Sequence, residues 1–292
     1  FTINAMAMTS AMELYDPHNG IKDLNNKLIN TVGIAKERFD EDALRMLRAV
    51  RFMSQLDFEL SLDAQKAIKE HAAALDYVAV ERITAELEKL YRGINVKSAK
   101  EMIAQTGLLK YMPFFKHIDR DRYVNSAAES LGQEAAVHIY KDSGLKEHLS
   151  KLKLSNRQKA EIKASLQVIG ALTEQTNEKL IAYRFETDIL NSVNDIIRLN
   201  ELLDTEHIEL LEKAVSAQPD LILKNRSDLD INGNSLMSGL NARGGPWLRE
   251  CLDMIEQEVL LGNLINNEAE IINWVKSHVK NEDGNIVFTD GR

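Results

Sequence analysis

The feature that most limits the fold of this chain is a run of apolar residues at helical spacing, which starts after Gly33 and continues almost to the end. Leu44, Leu47 and Val50, for example, recur at every third position, as residues on the buried side of a helix do. Glycine and proline, which interrupt helices, number only 14 and 4 among 292 residues. The sequence therefore predicts a mainly α protein, and it disfavours a β-sandwich or a collagen-like chain.

The two ends of the chain depart from this pattern. Residues 2–8 predict a short helix, and residues 16–20 carry the turn chemistry of a hairpin-like element. This first segment is too small to fold alone, so we expect it to be the last part of an α/β domain that begins upstream of Phe1. The polar residues from Asn281 onward predict a frayed tail.

Length and composition limit the class of protein. At roughly 100–200 residues per domain, 292 residues predict two or three domains. No apolar run approaches the roughly 20 residues that a membrane-spanning helix needs, so we expect no membrane partner. The single cysteine, Cys251, has no partner for an internal disulfide, which favours a reducing, cytoplasmic location.

The net charge of −9 disfavours a nucleic-acid partner at first sight, but the charges are segregated along the chain. Residues 89–122 hold eight Lys and Arg against three acids, and residues 146–163 hold six against two. Residues 250–292 hold three against nine. An acidic protein with this arrangement can present a basic stripe to RNA, although surface helices that simply carry lysine explain the same counts.

The densest charged segment is a short stretch of acids followed by arginines. We expect Asp40 to cap a helix that carries Arg45, Arg48 and Arg51. Acids in the first turn and arginines later suit the helix dipole, and arginine also recognises bases and phosphates, so both interpretations stay open. Asp40 and Asp42 are not expected to share a metal ion, because residues two apart on a helix point about 200° apart.

A second segment of interest precedes a predicted helix in the last part of the chain. Pro246 stands where that helix should begin, after Arg243 and the pair Gly244-Gly245. The exposed N–H groups of such a helix start can bind a phosphate. The alternative is a plain loop that Trp247 anchors by packing.

Four ordered motifs carry a resemblance to a known family. They are Phe1-Thr2-Ile3-Asn4-Ala5-Met6-Ala7; Asp16-Pro17 with Gly20 and Asp23-Leu24; Glu41-Asp42 with Arg45, Arg48 and Arg51-Phe52; and Glu81-Arg82-Ile83 with Glu86-Leu87 and Lys89-Leu90. Together they resemble the class II tRNA nucleotidyltransferases, the bacterial CCA-adding enzymes of the polymerase-β superfamily. Residues 228–233 and 244–248 are similar to the tail domain of the same family.

The resemblance implies a fold and a division of the chain. The fold is mainly α, an elongated multi-domain neck, body and tail with a small β-containing remnant of the polymerase-β-like head at the N-terminus. The implied boundaries are 1–35 for the head remnant, 36–97 for the neck that reads the nucleotide, 98–205 for the body and 206–292 for the tail that binds tRNA.

The resemblance also implies an activity, the addition of C, C and A to the 3′ acceptor arm of tRNA from CTP and ATP without a nucleic-acid template. By the same resemblance Asp42 and Arg45 read the base. A carboxylate accepts a hydrogen bond from the exocyclic amine of cytosine or adenine, and a guanidinium donates to the adjacent ring acceptor. Arg48 and Arg51 are implied to contact the nucleotide as well.

Further residues follow from the resemblance and from the basic segments. Supporting positions are Asn4, Glu41, Glu81 and Arg82. Candidate tRNA contacts are Lys151, Lys153, Arg157, Arg243, Gly244 and Gly245.

The family uses Mg²⁺, and the resemblance places the metal-binding carboxylates upstream of Phe1. We therefore expect no catalytic metal ligand in residues 1–292 and no nucleotide incorporation by a chain that starts at Phe1. The alternatives are a CC- or A-adding specialist, a poly(A) polymerase, which the acidic C-terminal segment disfavours, and a helical RNA-binding module without catalysis.

Overall fold

The computed structural model describes residues 1–282 and 285–288, and it divides the chain into two compact units. The first unit comprises Phe1–Leu166 and Ile196–Leu202, and the second comprises Gln167–Asp195 and Leu203–Arg292. The helix content confirms the prediction of a mainly α fold. The four predicted domain boundaries remain predictions.

The first unit is built from short helices around one apolar core. Its helices are α1 (Gly20–Asn25), α2 (Ala35–Glu41), α3 (Leu44–Leu56), α4 (Leu62–His71), α5 (Val80–Leu90), α6 (Val96–Thr106), α7 (Arg120–Asn125) and α8 (Leu131–Lys141). Three 3-10 segments lie between these helices, one precedes them and one follows them: Thr2–Asn4, Ala72–Tyr77, Leu108–Tyr111, Phe115–His117 and Ser143–Leu152. Leu47 and Val50 of α3 are fully buried, as their spacing predicts.

Two small strand pairs accompany these helices. Strands β1 (Ala7–Met8) and β2 (Leu14–Tyr15) pair antiparallel, with Ala7 opposite Tyr15. Strands β3 (Leu28–Ile29) and β4 (Glu59–Leu60) pair in parallel, which brings the chain before α2 beside the chain after α3.

The prediction of a helix over residues 2–8 is wrong. Only Thr2–Asn4 form a 3-10 turn, and the chain then enters β1. The Thr2 N–H donates to the Asn30 carbonyl at 3.0 Å, and its hydroxyl donates to Asp23 Oδ2 at 2.7 Å. These partners are distant in sequence, so a local pattern does not reveal them.

The prediction of a hairpin turn at residues 16–20 is wrong. The hairpin in the structure joins β1 to β2 and turns at residues 9–13, before the Asp-Pro segment. Asp16 instead stabilises the first turn of α1. Its carboxylate accepts hydrogen bonds from the N–H groups of Gly20 and Ile21 at 2.7 and 2.9 Å. Asp16 therefore acts as the cap of the helix that follows β2.

The second unit has its own apolar core. Its complete helices are α10 (Glu178–Arg184), α12 (Thr205–Ala217), α13 (Gly233–Leu240), α14 (Trp247–Leu261) and α15 (Glu268–His278). Two further helices, α9 (Asn156–Thr173) and α11 (Thr187–Asn200), run from one unit into the other. Trp247, Cys251 and Ile255 recur on the buried side of α14.

The prediction of a frayed tail from Asn281 is wrong for the part that the structure describes. Strand β5 (Val279–Glu282) pairs antiparallel with β6 (Asn285–Phe288). The remainder of the predicted tail, residues 283, 284 and 289–292, lies outside the described residues.

Candidate nucleotide and RNA sites

Asp42 occupies a break between two helices. Helix α2 ends at Glu41, Asp42 is extended at φ −153° and ψ 102°, and α3 begins at Leu44. The Asp42 Oδ1 atom accepts the Leu44 N–H at 3.2 Å, and its carbonyl accepts the Arg45 N–H at 3.0 Å. An aspartate that bonds the backbone two residues ahead favours such a break over a continuous helix.

The prediction that Asp40 caps the arginine-rich helix is therefore wrong. Asp40 lies inside α2, and its carboxylate faces His71 of α4 at 3.1 Å. Asp42, two residues later, bonds the first N–H of the helix that carries the arginines.

A second element holds the same carboxylate. The Asp42 Oδ2 atom lies 2.9 Å from Arg82 Nη2, on the first turn of α5. Each oxygen of Asp42 thus has one partner, and a carboxylate oxygen has two lone pairs. With a side chain that is 26% exposed, Asp42 keeps acceptor capacity toward solvent.

Arg45 is held through one nitrogen. Its Nη1 donates to the Arg38 carbonyl at 3.1 Å and to Glu41 Oε2 at 2.5 Å. Glu41 also pairs with Arg38 Nη1 at 2.8 Å, so it joins the end of α2 to the start of α3. Within the described part of the chain these contacts engage only Nη1, which leaves the other donors of the Arg45 guanidinium for a ligand.

Arg48 and Arg51 have different surroundings although both lie on α3. Arg48 has a buried Nε atom with no hydrogen-bond partner in residues 1–282 and 285–288. Arg51 Nε lies 2.8 Å from Glu86 Oε2 of α5, its Nη1 donates to Gln55 at 3.1 Å, and its guanidinium stacks 4.0 Å above the Phe52 ring.

The charges on α3 and α5 act on one another. Burial lowers the pKa of Arg51, Glu86 opposes that effect, and the nearby Arg48 lowers the pKa further. Arg48 is therefore a cation beside another cation, in a place where an anionic ligand would be stabilised.

Two of the predicted supporting residues belong to this site. Glu41 and Arg82 contact Arg45 and Asp42, whereas Asn4 and Glu81 are exposed and contact neither in the described structure. Sequence reasoning assigned no contact to Glu86, which pairs with Arg51. The sequence does carry a signal for Glu86: it follows Arg82 by four positions, and residues four apart share a helix face.

The predicted basic contacts at 151–157 lie on a segment that packs against helix α5. The Thr84 hydroxyl donates to the Leu152 carbonyl at 2.5 Å, and Gln158 Nε2 donates to Glu88 at 2.9 Å. Leu152 is fully buried. Lys151, Lys153 and Arg157 are exposed, and none of them forms an ion pair in the described residues.

The predicted contacts at 243–245 lie in the second unit, before α14. Trp247 Nε1 donates to the Arg243 carbonyl at 2.9 Å, so the indole anchors the loop. The N–H groups of Leu248 and Arg249 donate to the carbonyls of Gly245 and Pro246 at 3.1 and 3.2 Å. Those two amides are therefore engaged, whereas the exposed Arg243, Gly244 and Gly245 stay candidates for a phosphate contact.

Comparison with known proteins gives a consistent result. The family described as "tRNA nucleotidyltransferase domain 2 putative" matches residues 135–275, and "Probable RNA and SrmB- binding site of polymerase A" matches residues 57–118. A CCA-adding enzyme of Staphylococcus aureus strain MSSA476 is 37% identical over 291 residues, which cover 96% of this chain and 72% of that relative. The chain belongs to the CCA-adding enzymes.

Solved structures support this membership. The crystal structure of the Bacillus stearothermophilus CCA-adding enzyme in complex with CTP superimposes with a TM-score of 0.80 at 30% identity, covering 95% of this chain and 72% of that one. The Thermotoga maritima CCA-adding enzyme complexed with tRNA has a TM-score of 0.62 at 21% identity over 95% of this chain and 72% of that one, which shows a shared fold. The predicted family and fold are thereby confirmed.

Two further findings concern membrane-spanning helices and metal ligands in this member of the CCA-adding family. Within residues 1–282 and 285–288, every helix is too short or too polar to cross a bilayer. In the same residues no cluster of three or more His, Cys, Asp or Glu side chains is found that could hold a metal ion.

Proposed function

We propose that this protein adds C, C and A to the 3′ end of tRNA, using CTP and ATP, and that Asp42 and Arg45 read the incoming base. The observation that carries the assignment of residues is the break between α2 and α3. It sets a partly exposed carboxylate and a guanidinium with unengaged donors three residues apart. Both groups are braced from neighbouring elements by Arg82 and Glu41.

The chemistry of the bases supports this proposal. Cytosine and adenine each carry an exocyclic amine, which donates to a carboxylate, beside a ring nitrogen that accepts from a guanidinium. Uracil carries a carbonyl at the position of the amine, so a fixed Asp42 carboxylate repels it. One acidic and one basic side chain therefore select both correct nucleotides and reject UTP.

We assign the two following arginines different roles. Arg48, with its unpartnered Nε, is proposed to contact the nucleotide phosphates. Arg51 is proposed to act as a brace, because Glu86, Gln55 and Phe52 occupy its guanidinium. Arg51 then affects nucleotide binding indirectly, by fixing the position of α3.

We propose the tRNA contacts because these side chains are positively charged and exposed. Lys151, Lys153 and Arg157 are exposed cations on a segment fixed to α5, and phosphate neutralisation supplies most of the affinity of such surfaces. Arg243, with the neighbouring Gly244 and Gly245, is proposed to add a contact from the second unit.

Mg²⁺ supplies charge stabilisation for phosphoryl transfer in this family, and we propose the same dependence here. Because the described residues offer no cluster of ligands, no step is assigned to the ion through this chain's own side chains. We also propose a cytoplasmic location, because the single cysteine, Cys251, is buried and free.

The test is extension of a tRNA that lacks its CCA end by the full-length protein with Mg²⁺, CTP, ATP and UTP. We expect CCA to be added and UTP to be excluded. Addition of only C or only A would identify a specialist, a long run of A would identify a poly(A) polymerase, and tRNA binding without extension would identify a non-catalytic module.

The role of Asp42 is tested in the same protein by Asp42→Ala, with the exposed Asp121→Ala as the matched control. A bidentate base contact is worth about 1–3 kcal/mol, so preference for CTP over UTP should fall by about tenfold or more. Affinity for tRNA should stay unchanged in both variants. Unchanged base preference in Asp42→Ala would contradict the proposed role.

A further inference from the structure

Two histidines from separate 3-10 segments stack on each other at the surface of the first unit. The rings of His117, on Phe115–His117, and His148, on Ser143–Leu152, lie 3.9 Å apart between centroids and are tilted by only 7°. His117 is exposed, and the His148 side chain is 24% exposed. Neither the family resemblance nor the proposed base-reading site accounts for this pair.

The charged groups around the pair are mostly cationic. Lys116, on the same segment as His117, and Lys151, on the segment of His148, both act on His117, and Glu147 is the one opposing acid in this set. Glu147 Oε1 lies 3.3 Å from His148 Nε2, and its own side chain is 76% exposed. Lys116 and Lys151 are exposed as well.

These surroundings disfavour the charged form of the exposed ring. Desolvation, followed by the charges of His148, Lys116 and Lys151, lowers the pKa of His117, and Glu147 only partly offsets them. Two parallel imidazolium rings at 3.9 Å would repel each other, and an anion beside them would offset that repulsion.

The position of the pair indicates which anion that is. His148 and Lys151 lie on the segment that Thr84 fixes to α5, the helix whose Arg82 holds Asp42. Lys153 and Arg157, further along the same stretch of chain, are exposed cations as well. Several exposed cations on one stretch of chain suit successive phosphates of one strand better than a small free anion.

We propose that His117 and His148 form a contact for an RNA backbone phosphate that takes up a proton when RNA binds. The inference rests on the proposed tRNA-binding function and adds a pH dependence to it. Lys116 and Lys151 add cationic side chains to the same surface, and a phosphate beside the His117 ring favours the charged form of that ring. Binding of tRNA should therefore strengthen as the pH falls through the range in which histidine titrates.

The test measures the dissociation constant of the full-length protein for a tRNA lacking CCA, at constant ionic strength, from about pH 8 to about pH 6. We expect the wild-type affinity to rise by about three- to tenfold over this range. The double variant His117→Gln/His148→Gln should lose that rise and match the wild type at the higher pH. Lys151→Gln should weaken binding at both pH values and keep the rise, and the exposed His18→Gln should behave as the wild type.

A second readout is proton uptake, measured as the dependence of binding enthalpy on the ionisation enthalpy of the buffer. We expect uptake near the lower pH in the wild type and a marked decrease in the double variant. A double variant that keeps the full pH dependence, or a wild type without any, would overturn the inference while leaving tRNA binding intact. A wild type that binds no tRNA at any pH would overturn the proposed function itself, and the inference with it.

Discussion

Arg82 Nη2 lies 2.9 Å from Asp42 Oδ2, and this contact joins the first turn of α5 to the break between α2 and α3. The other oxygen of Asp42 bonds the Leu44 N–H, so two separate elements fix the plane of one carboxylate. A base-reading carboxylate must keep its direction to distinguish an amine from a carbonyl. Arg82 is therefore a positioning residue for the proposed site.

Replacing Arg82 should change nucleotide selection more than stability. The Arg82 side chain is 53% exposed, and exposed ion pairs contribute about 0–1 kcal/mol to the free energy of unfolding. In Arg82→Ala we expect the ratio of CTP to UTP affinity to fall about three- to tenfold, because Asp42 loses its second support. Equilibrium binding of the two nucleotides and chemical denaturation measure the two effects.

The matched control is Arg120→Ala, which removes an exposed arginine whose partner, Asp121, is likewise exposed. It should leave both quantities unchanged. Arg82→Lys should restore part of the selectivity, since it keeps the charge but not the planar fork. Selectivity that survives Arg82→Ala would refute the positioning role.

Truncation of Arg51 should lower stability, whereas truncation of Arg48 should lower the affinity for CTP. Arg51→Ala leaves Glu86, a 9%-exposed carboxylate, with Lys89 at 3.4 Å as its one cationic partner among the described residues, so we expect unfolding free energy to fall by about 2–3 kcal/mol. Arg48→Ala removes a cation near other cations and should leave stability equal or slightly higher, while CTP affinity falls by about tenfold.

Denaturation midpoints and CTP binding, measured on both variants, separate the two roles. Arg51→Met is the control for lost packing, because it keeps an apolar chain over Phe52 and removes only the charge. Loss of CTP affinity in Arg51→Ala at full stability would assign Arg51 to the ligand instead.

The sequence predicted the helices well where apolar spacing alone determines them. Helix α5 spans Val80–Leu90, and the helical spacing of Ile83, Leu87 and Leu90, which fill its buried side, predicts it. The break at Asp42 was missed because it depends on a hydrogen bond from one side chain to the backbone, which periodicity does not carry. The β5–β6 pair was missed although Ile286, Val287 and Phe288 are typical strand residues, because the polar residues 280–285 before them resemble a loop.

The candidate site was predicted as a set of residues but not as a set of contacts. The motifs named Asp42, Arg45 and Arg82, yet the Asp42–Arg82 contact spans 40 positions and depends on how α5 packs against α3. The contact between Arg51 and Glu86 likewise depends on how α5 packs against α3. Local spacing gives the face on which a residue lies, and only packing between helices gives its partner.

Gly93 should tolerate no side chain. A Cβ atom there would lie 1.9 Å from Ser54 Oγ and 2.6 Å from the Ser54 backbone, so the chain after α5 contacts α3 directly. Ser54 is held in place, since its hydroxyl donates to the Leu90 carbonyl at 2.7 Å and its own carbonyl accepts the Asn95 N–H. We expect Gly93→Ala to lower unfolding free energy by about 1–3 kcal/mol.

The control for Gly93→Ala is Gly170→Ala, where no atom lies within 4 Å of the added carbon and the residue is in α9. Alanine favours the helix over glycine, so this variant should gain up to about 1 kcal/mol. Thermal unfolding of both variants compares the two directly. Equal effects of both substitutions would contradict the close approach of Gly93 and Ser54.

A buried charge cluster in the first unit should determine part of the acid sensitivity. Glu134 Oε1 accepts hydrogen bonds from Lys100 Nζ at 2.8 Å and Ser126 Oγ at 2.6 Å, and it lies 3.0 Å from His138 Nε2. Burial alone would raise the pKa of Glu134, but His138 and Lys100 outweigh it and bring the pKa to about 2.

The sign of the pH effect follows from this lowered value. The pKa of Glu134 is lower in the folded state than in the unfolded state, where it is near 4.5. The stabilisation is therefore complete above the unfolded value and is lost as the pH falls from about 4.5 to about 2. We expect unfolding free energy to decline over this interval more steeply in the wild type than in Glu134→Gln.

At neutral pH, Glu134→Gln should lower unfolding free energy by about 3 kcal/mol, because Lys100 is then a buried cation without its counter-ion. The double variant Glu134→Gln/Lys100→Met removes both charges and should recover much of that loss, since a buried pair replaced by neutral groups costs far less than a broken pair. Denaturant titrations at neutral pH and near pH 3 on the wild type and all three variants, Lys100→Met included, test both statements. An acid slope that Glu134→Gln leaves unchanged would show that folding does not lower the pKa of Glu134, and it would contradict the stabilising Glu134–Lys100 pair.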